Sequence, residues 1–236
     1  MKTLIIIPAY NEAENIGHTL QDLHVHSPEA DYLVVNDCST DDTKAVLRRL
    51  SANYLDLPVN LGIGGAVQAG YRYALENGYD TAVQFDGDGQ HDAAYIRALL
   101  APIERKEADV VIGSRFLEKE GFQSSAMRRF GIRFLSALLR LLCGVSVRDV
   151  TSGMRAVDAG MIALFARDYA QDYPEPEAIL AAGLCGAVIK ETPVQMRERQ
   201  GGVSSINALR SAYYMVKVSL SLILGRLTYG GKKDGQ

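Results

Sequence analysis

Ala82-Val83-Gln84-Phe85-Asp86-Gly87-Asp88-Gly89-Gln90-His91 is the stretch on which the fold turns. A mostly apolar run passes directly into two carboxylates separated by one glycine. Largely uninterrupted apolar runs suit strands covered on both faces, as in a parallel sheet. Ligands of such sheets bind beyond the carboxyl ends of the strands, so the loop after this run is where chemistry belongs. Two carboxylates this close repel unless a cation or hydrogen-bond donors lie between them. Hard oxygen ligands suit Mg²⁺ or Mn²⁺, held by one or two carboxylates together with substrate phosphates. An EF-hand calcium loop is excluded: counted from Asp86, the sixth position is His91 rather than glycine and the twelfth is Arg97 rather than glutamate. His91 itself reads first as a hydrogen-bonded structural residue.

The same pattern extends outward on both sides. Leu4–Pro8, Tyr32–Asn36, Asn53–Leu57, Thr81–Phe85 and Val110–Ser114 read as strands, and Glu14–Val25, Asp41–Leu50, Gly65–Glu76 and Ala93–Lys106 as helices between them. This alternation predicts an α/β fold, a mostly parallel sheet with helices on both faces. Two further strands end in polar loops, Pro8-Ala9-Tyr10-Asn11-Glu12 and Asn36-Asp37-Cys38-Ser39-Thr40-Asp41-Asp42. Each alone is compatible with a capped turn, but three on one sheet edge point to a site. Asn60-Leu61-Gly62-Ile63-Gly64-Gly65 opens a helix and can turn backbone N–H groups toward phosphate. It is not a dinucleotide fingerprint, because Val67 holds the last glycine position, and no P-loop occurs.

Composition removes other classes. The 236 residues are 47% apolar and 22% charged, ordinary for a globular chain. Lysine and arginine total 25 against 28 acids, a net charge of −3, which excludes a globally basic nucleic-acid binder. Cys38, Cys143 and Cys185 form no metal or disulfide pattern and favour a reducing compartment. Leu4–Ile7 is too short for a secretory core and reads as a first strand. Residues 115–155 hold seven arginines and one lysine against three acids, so a positive segment sits on an otherwise acidic protein. Within it Met127–Cys143 reads as a helix with a basic stripe of Arg129, Arg133 and Arg140 and a broad apolar surface. Such a helix suits a membrane interface. Ser211–Gly225 is the most apolar stretch, yet at 15 residues and with Lys217 it falls short of a membrane span.

Ile6-Pro8-Ala9-Tyr10-Asn11-Glu12, Val35-Asn36-Asp37-Cys38-Ser39-Thr40-Asp41, Asn60-Leu61-Gly62, Asp86-Gly87-Asp88-Gly89-Gln90-His91, Gly113-Ser114-Arg115-Phe116 and Asp149-Val150-Thr151-Ser152-Gly153-Met154-Arg155 occur in that order. Together they resemble the family 2 GT-A glycosyltransferases, and among these the dolichyl- and polyprenyl-phosphate sugar transferases. The resemblance runs from residue 4 to about 205. It implies that Pro8, Ala9, Tyr10, Glu12, Asp37, Asn60 and Gly62 hold a nucleotide-sugar, and that Gln90 faces the donor sugar. Asp86 would contact ribose and the shell of a Mg²⁺ or Mn²⁺ ion, with Asp88 as its direct ligand. Arg115, with Arg128 or Arg129, would bind the acceptor phosphate, as would Arg155. Arg197, Arg199 or Ser204 would close over the diphosphate. Of the acids in Tyr173-Pro174-Glu175-Pro176-Glu177, Glu177 is the favoured functional residue.

The expected organisation is a catalytic domain over 1–205, a membrane-interface or oligomerisation helix over Ile206–Tyr229 and a loose tail over 230–236. The expected activity is metal-dependent, inverting transfer from a nucleotide-sugar, a UDP-sugar first, to a polyprenyl phosphate. The enzyme would work on the inner face of the cell membrane, with a small membrane protein or a second copy as partner and no nucleic acid. The rivals are transfer to a saccharide hydroxyl, with Glu175 or Glu177 as base, and a non-catalytic nucleotide-sugar-binding subunit.

Overall fold

The computed structural model describes residues 1–118, 126–197 and 208–230, with side chains at all of these except 126–128, 208–213 and 229–230. The first strand, β1 (Thr3–Ala9), is buried along its whole length. Leu4 and Ile6 enter one apolar cluster with Leu33, Val35, Tyr71 and Val157, whereas Ile5 and Ile7 enter another with Val34, Val83, Leu99 and Val111. Successive strand side chains alternate between faces, so an all-apolar strand requires cover on both sides.

That cover comes from the elements that follow: α1 (Ile16–His26), β2 (Asp31–Asn36), α2 (Thr43–Arg49), β3 (Tyr54–Asp56), α3 (Gly62–Glu76) and β4 (Thr81–Gln84). A short 3₁₀ turn, Ala93–Tyr95, leads into α4 (Ile96–Glu104) and β5 (Val110–Ser114). Then come α5 (Ala126–Cys143), β6 (Arg155–Asp158), α6 (Ala159–Arg167), α7 (Pro174–Leu184), β7 (Ile189–Pro193) and α8 (Ala208–Gly230).

The sheet order is β3-β2-β1-β4-β6-β5-β7. The chain builds from β1 outward through β2 and β3, then returns to lay β4 on the other side of β1. The crevice between β1 and β4 is therefore a topological switch point, where α/β sheets bind ligands. β6 is antiparallel to both β4 and β5, and the remaining pairs are parallel. The five strands read from the sequence are β1 to β5; β6 and β7 are additional. Only four residues long, β6 carries a charge at each end, and β7 is a polar edge strand, so neither shows a clean apolar signature. The reversed course of β6 has a consequence for the site, because it brings the amino end of that strand, with Ser152-Gly153-Met154 before it, to the carboxyl edge of β4.

The helix expected at Ile206–Tyr229 is α8. It lies against α5 and α7, burying Val218 and Leu222. An added Cβ on Gly131 would come within 2.9 Å of Met215, and one on Gly225 within 3.1 Å of Leu180, so both crossings are tight. Among the described residues no helix is long and apolar enough to cross a membrane.

Candidate active site

The loops after β1 and β2 are fastened to each other. Asp37 N–H donates to the Ala9 carbonyl at 2.9 Å. Asn11 adopts φ 57°, a left-handed conformation that asparagine tolerates better than most residues. From there its Oδ1 accepts from Thr40 N at 2.8 Å, Thr40 Oγ1 at 3.2 Å and Asp41 N at 3.3 Å. Its own N–H donates to Ser39 Oγ at 3.0 Å, and Glu12 N–H to Thr43 Oγ1 at 2.9 Å. Pro8 and Ala9 are buried at the strand end, while Tyr10 stands exposed beside them. Asp37 is buried, its Oδ1 accepting from Leu61 N at 2.7 Å and its carbonyl from Asn60 Nδ2 at 3.0 Å. Asn60 Oδ1 in turn accepts from Gly62 N at 3.2 Å, where φ is +75°. In this structure Asn60 and Leu61 therefore hold Asp37 in place, with Gly62 bonded to Asn60.

The loop after β4 lies against this pair of loops. An added Cβ on Gly87 would sit 3.1 Å from the Pro8 carbonyl oxygen, and Thr19 Oγ1 donates to the Gly87 carbonyl at 3.2 Å. Asp86 N–H donates to His91 Nδ1 at 2.9 Å, which leaves the ring proton on Nε2, 3.5 Å from Asp86 Oδ2. His91 is buried edge-on to Phe85, and burial pushes its pKa down to about 4, so the ring is neutral. Gln90 N–H donates to Asp88 Oδ1 at 3.0 Å. About 33% of the Asp86 side chain is exposed, but its Oδ1 is buried with no hydrogen-bond partner. Burial pushes the Asp86 carboxyl up, while the side chain of Gln84 and then the guanidiniums of Arg155 and Arg115 pull it back. On the far side Gly153 leaves room for this carboxylate: an added Cβ there would meet Asp86 Oδ2 at 2.8 Å and Oδ1 at 3.1 Å.

Arg115, just past β5, is braced in the bidentate geometry that gives arginine–carboxylate pairs their specificity. Its Nε donates to Asp149 Oδ2 and its Nη2 to Asp149 Oδ1, both at 2.7 Å, with Thr151 Oγ1 a further acceptor at 2.9 Å. Asp149 is fully buried and its N–H donates to Glu191 Oε1 of β7 at 2.9 Å. Asp149, Gly153 and Glu191 were not among the expected site residues. The contiguous run Asp149–Arg155 was the available signal, and it needed the antiparallel β6 to be placed.

Three expectations are corrected or moved. Arg155 is only 1% exposed and lies beneath the site: its Nη2 donates to the Ser152 carbonyl at 2.7 Å and its Nη1 to that of Glu175 at 3.3 Å. A buried guanidinium cannot meet an incoming acceptor. Glu177 faces α8, accepting from Ser221 Oγ at 2.7 Å beside a cavity of about 370 Å³ between α7 and α8. Glu175 is the acid in the field of Asp86 and Arg115: burial pushes its pKa up and Arg155 opposes that shift. Pro174 starts α7, and residues two apart on a helix point about 200° from each other, which is why the two acids diverge. The Arg197 guanidinium is paired with Asp22 and Asp92. Arg129 lies partly buried on α5. The Arg128 side chain, Arg199 and Ser204 lie outside the described residues.

A sheet covered on both faces, wound about a β1/β4 switch point, with paired aspartates after β4, defines a GT-A glycosyltransferase. The chain belongs to glycosyl transferase family 2, whose family model matches residues 4–164. The undecaprenyl-phosphate mannosyltransferase of Micrococcus luteus is 33% identical over 217 residues, spanning 88% of each chain. The polyprenol monophosphomannose synthase of Mycolicibacterium smegmatis is 29% identical over 245 residues, 96% of this chain and 89% of its own. Among solved structures, glucosyl-3-phosphoglycerate synthase from Mycobacterium tuberculosis, with Mn²⁺, UDP and phosphoglyceric acid, superposes with a TM-score of 0.72. It covers 95% of this chain and 78% of its own at 20% identity, a likeness of fold.

Proposed function

We propose that the enzyme moves a sugar from a nucleoside-diphosphate donor, with a divalent cation, onto the phosphate of a polyprenyl phosphate, inverting the sugar carbon. The names of the relatives support the acceptor. UDP and Mn²⁺ in the structure of like fold support a UDP-sugar and a metal. The observation that carries the reading is the orphaned, buried Oδ1 of Asp86 beside Asp88, in a space kept open by Gly153. These are hard oxygen donors and fit Mg²⁺ or Mn²⁺. Among the described residues no group of three His, Cys, Asp or Glu side chains completes a metal cage, so the remaining ligands would be diphosphate oxygens and water. When bound, such a cation offsets the charge that grows on the departing diphosphate.

The residues of the chain do the rest by placement. Ala9, Tyr10 and Asp37 line the β1 side for base and ribose, and Gln90 faces the donor sugar. Arg115, its direction fixed by Asp149 and Thr151, steers the acceptor phosphate, with Arg129 of α5 nearby in sequence. A phosphate monoester, with a second pKa near ~6, is mostly dianionic at pH 7 and attacks without a strong base. Its oxygen bonds to the sugar carbon as the bond to the diphosphate breaks. Presentation at a membrane surface is supported by the exposed Phe130, Phe134 and Leu141 of α5 and Val216, Leu220 and Leu227 of α8.

A second reading, transfer to a saccharide hydroxyl, is favoured by one observation, the position of Glu175 in the field of Asp86 and Arg115. A hydroxyl acceptor needs a base within hydrogen-bond reach. Purified enzyme with Mn²⁺ is to be given labelled GDP-mannose, UDP-glucose or UDP-N-acetylglucosamine and polyprenyl phosphate. Label in a butanol-extractable lipid, with Glu175→Gln losing less than about ten-fold, is expected. Label confined to water-soluble glycan overturns the lipid reading.

A further inference from the structure

The sequence resemblance placed Arg197 over the diphosphate, yet the structure gives its charge other work. Its Nη1 lies 3.2 Å from Asp22 Oδ2 of α1, and its Nη2 lies 3.4 Å from Asp22 Oδ1 and 3.1 Å from Asp92 Oδ1. Two carboxylates thus already engage the guanidinium. What remains distinctive is its main chain. Arg197 N–H donates to the Gln90 carbonyl at 2.9 Å, and Gln90 N–H donates to Asp88 Oδ1 at 3.0 Å.

The two carboxylates that hold Arg197 are themselves attached to the far end of the same loop. Asp22 Oδ2 accepts from Ala93 N at 3.1 Å, and Asp92 Oδ1 from Ala94 N at 3.0 Å, capping the 3₁₀ turn. The near end of the loop is fixed by β4 and by Asp86 N–H on His91. The far end carries no strand, and its anchors converge on one guanidinium that also connects α1 to the chain leaving β7.

We infer that Arg197 is a positioning residue of the carboxylate loop: clamped by Asp22 and Asp92, it holds the Gln90 peptide, and through it Asp88, at the angle that receives a metal-bound diphosphate. The inference rests on the donor reading above for its ligand and on the hydrogen-bond chain for its geometry. Residues that orient a metal ligand typically alter metal affinity about 10–100-fold when removed. Partly exposed ion pairs add little to stability, so the fold should survive the change.

The test measures binding of Mn²⁺ with UDP by isothermal titration and amide hydrogen exchange across residues 86–93. In Arg197→Met the Mn²⁺·UDP dissociation constant should rise about ten-fold. Amides 86–93 should exchange faster, and the thermal midpoint should stay near wild type. Arg197→Lys should recover part of the affinity. Asp92→Asn keeps an oxygen for Ala94 N–H but drops the charge, and should shift affinity in the same direction by less. Combining Arg197→Met with Asp22→Asn should add little to Arg197→Met alone, since Arg197→Met already removes the pair with Asp22. Arg105→Met, which loses only an exposed pair with Glu107, is the control. Unchanged affinity and loop exchange in Arg197→Met, or an equal loss in Arg105→Met, would overturn the inference. Should Arg197→Met not fold, Arg197→Lys and Asp92→Asn decide it by the same two readings. A wild type that takes up no Mn²⁺·UDP would refute the donor reading instead, and the exchange measurement, which needs no metal, would still decide the clamp.

Discussion

Gly153→Ala tests the site through a single methyl group. The new Cβ would lie 2.8 Å from Asp86 Oδ2 and 3.1 Å from Oδ1, where an ordinary contact begins at 3.4 Å. Asp86 must therefore retreat by about 0.6 Å or rotate. Overpacking of this kind costs about 1–3 kcal/mol of stability. The lower end is expected, because a third of the Asp86 side chain faces solvent and has somewhere to go. The catalytic effect should be larger in proportion. Displacing a reacting arrangement by ~1 Å costs about 10²-fold, so kcat/KM should fall about 10–100-fold, or ~1.4–2.7 kcal/mol of transition-state stabilisation. The assay is transfer of labelled sugar into lipid at saturating Mn²⁺, with chemical denaturation alongside. Gly160→Ala is the matched control: it sits on α6 with its nearest atom at 3.4 Å, and should leave activity unchanged and stability equal or up to ~1 kcal/mol higher. Wild-type kcat/KM in Gly153→Ala would refute the claim that this glycine makes room for a catalytic carboxylate.

Three further outcomes are expected. Asp149→Ala strands the Arg115 guanidinium, which is only 12% exposed, and should lower unfolding free energy in urea by about 3–5 kcal/mol. A loss under ~1 kcal/mol would show that the pair is not holding the site together. Asp88→Asn keeps an oxygen to accept the Gln90 N–H but removes a charge, so the fold should persist while kcat/KM drops at least about 10²-fold; EDTA should abolish wild-type turnover and Mn²⁺ restore it. Glu177 is raised by burial, so as pH climbs past 4.5 the unfolded chain ionises first and the folded state loses stability relative to it. Glu177→Gln keeps an acceptor for Ser221, and should be more stable than wild type at pH 7 with the difference vanishing below about pH 4, as read from urea midpoints.

The parallel half of the fold was legible because its strands are apolar on consecutive residues. Leu4 to Ile7 can only be satisfied by cover on two faces, and the polar residues that end β1, β2 and β4 then fall on one edge. β6 was not legible because Arg155-Ala156-Val157-Asp158 carries its information in pairing rather than in pattern. Its Ala156 and Val157 lie in opposite apolar clusters, but two residues are too few to show a period. The orientation of Glu175 against Glu177 depended on where α7 begins, a boundary set by Pro174 that a resemblance of motifs does not fix. The roles of Arg155 and Arg197 depended on burial and on distant carboxylates at Asp22 and Asp92. Nothing in a one-dimensional run of arginines separates those that face a ligand from those that hold up the residues that do.

That distinction explains the charge arrangement under the strand ends. Asp86, Asp149 and Glu175 share two guanidiniums, with Arg115 committed to Asp149 and Arg155 lying beneath Asp86 and Glu175. His91, neutral and held by the Asp86 backbone, contributes no positive charge. The set is thus one positive charge short of balance before Asp88 is counted, and burial makes that imbalance costly. A diphosphate approaching Asp86 and Asp88 alone would meet like charge. The arginine-rich stretch therefore does not make the donor side positive; the two guanidiniums oppose the desolvation of the buried carboxylates and hold them in place, and the remaining negative charge is what a hard divalent cation, arriving with the nucleotide, would neutralise.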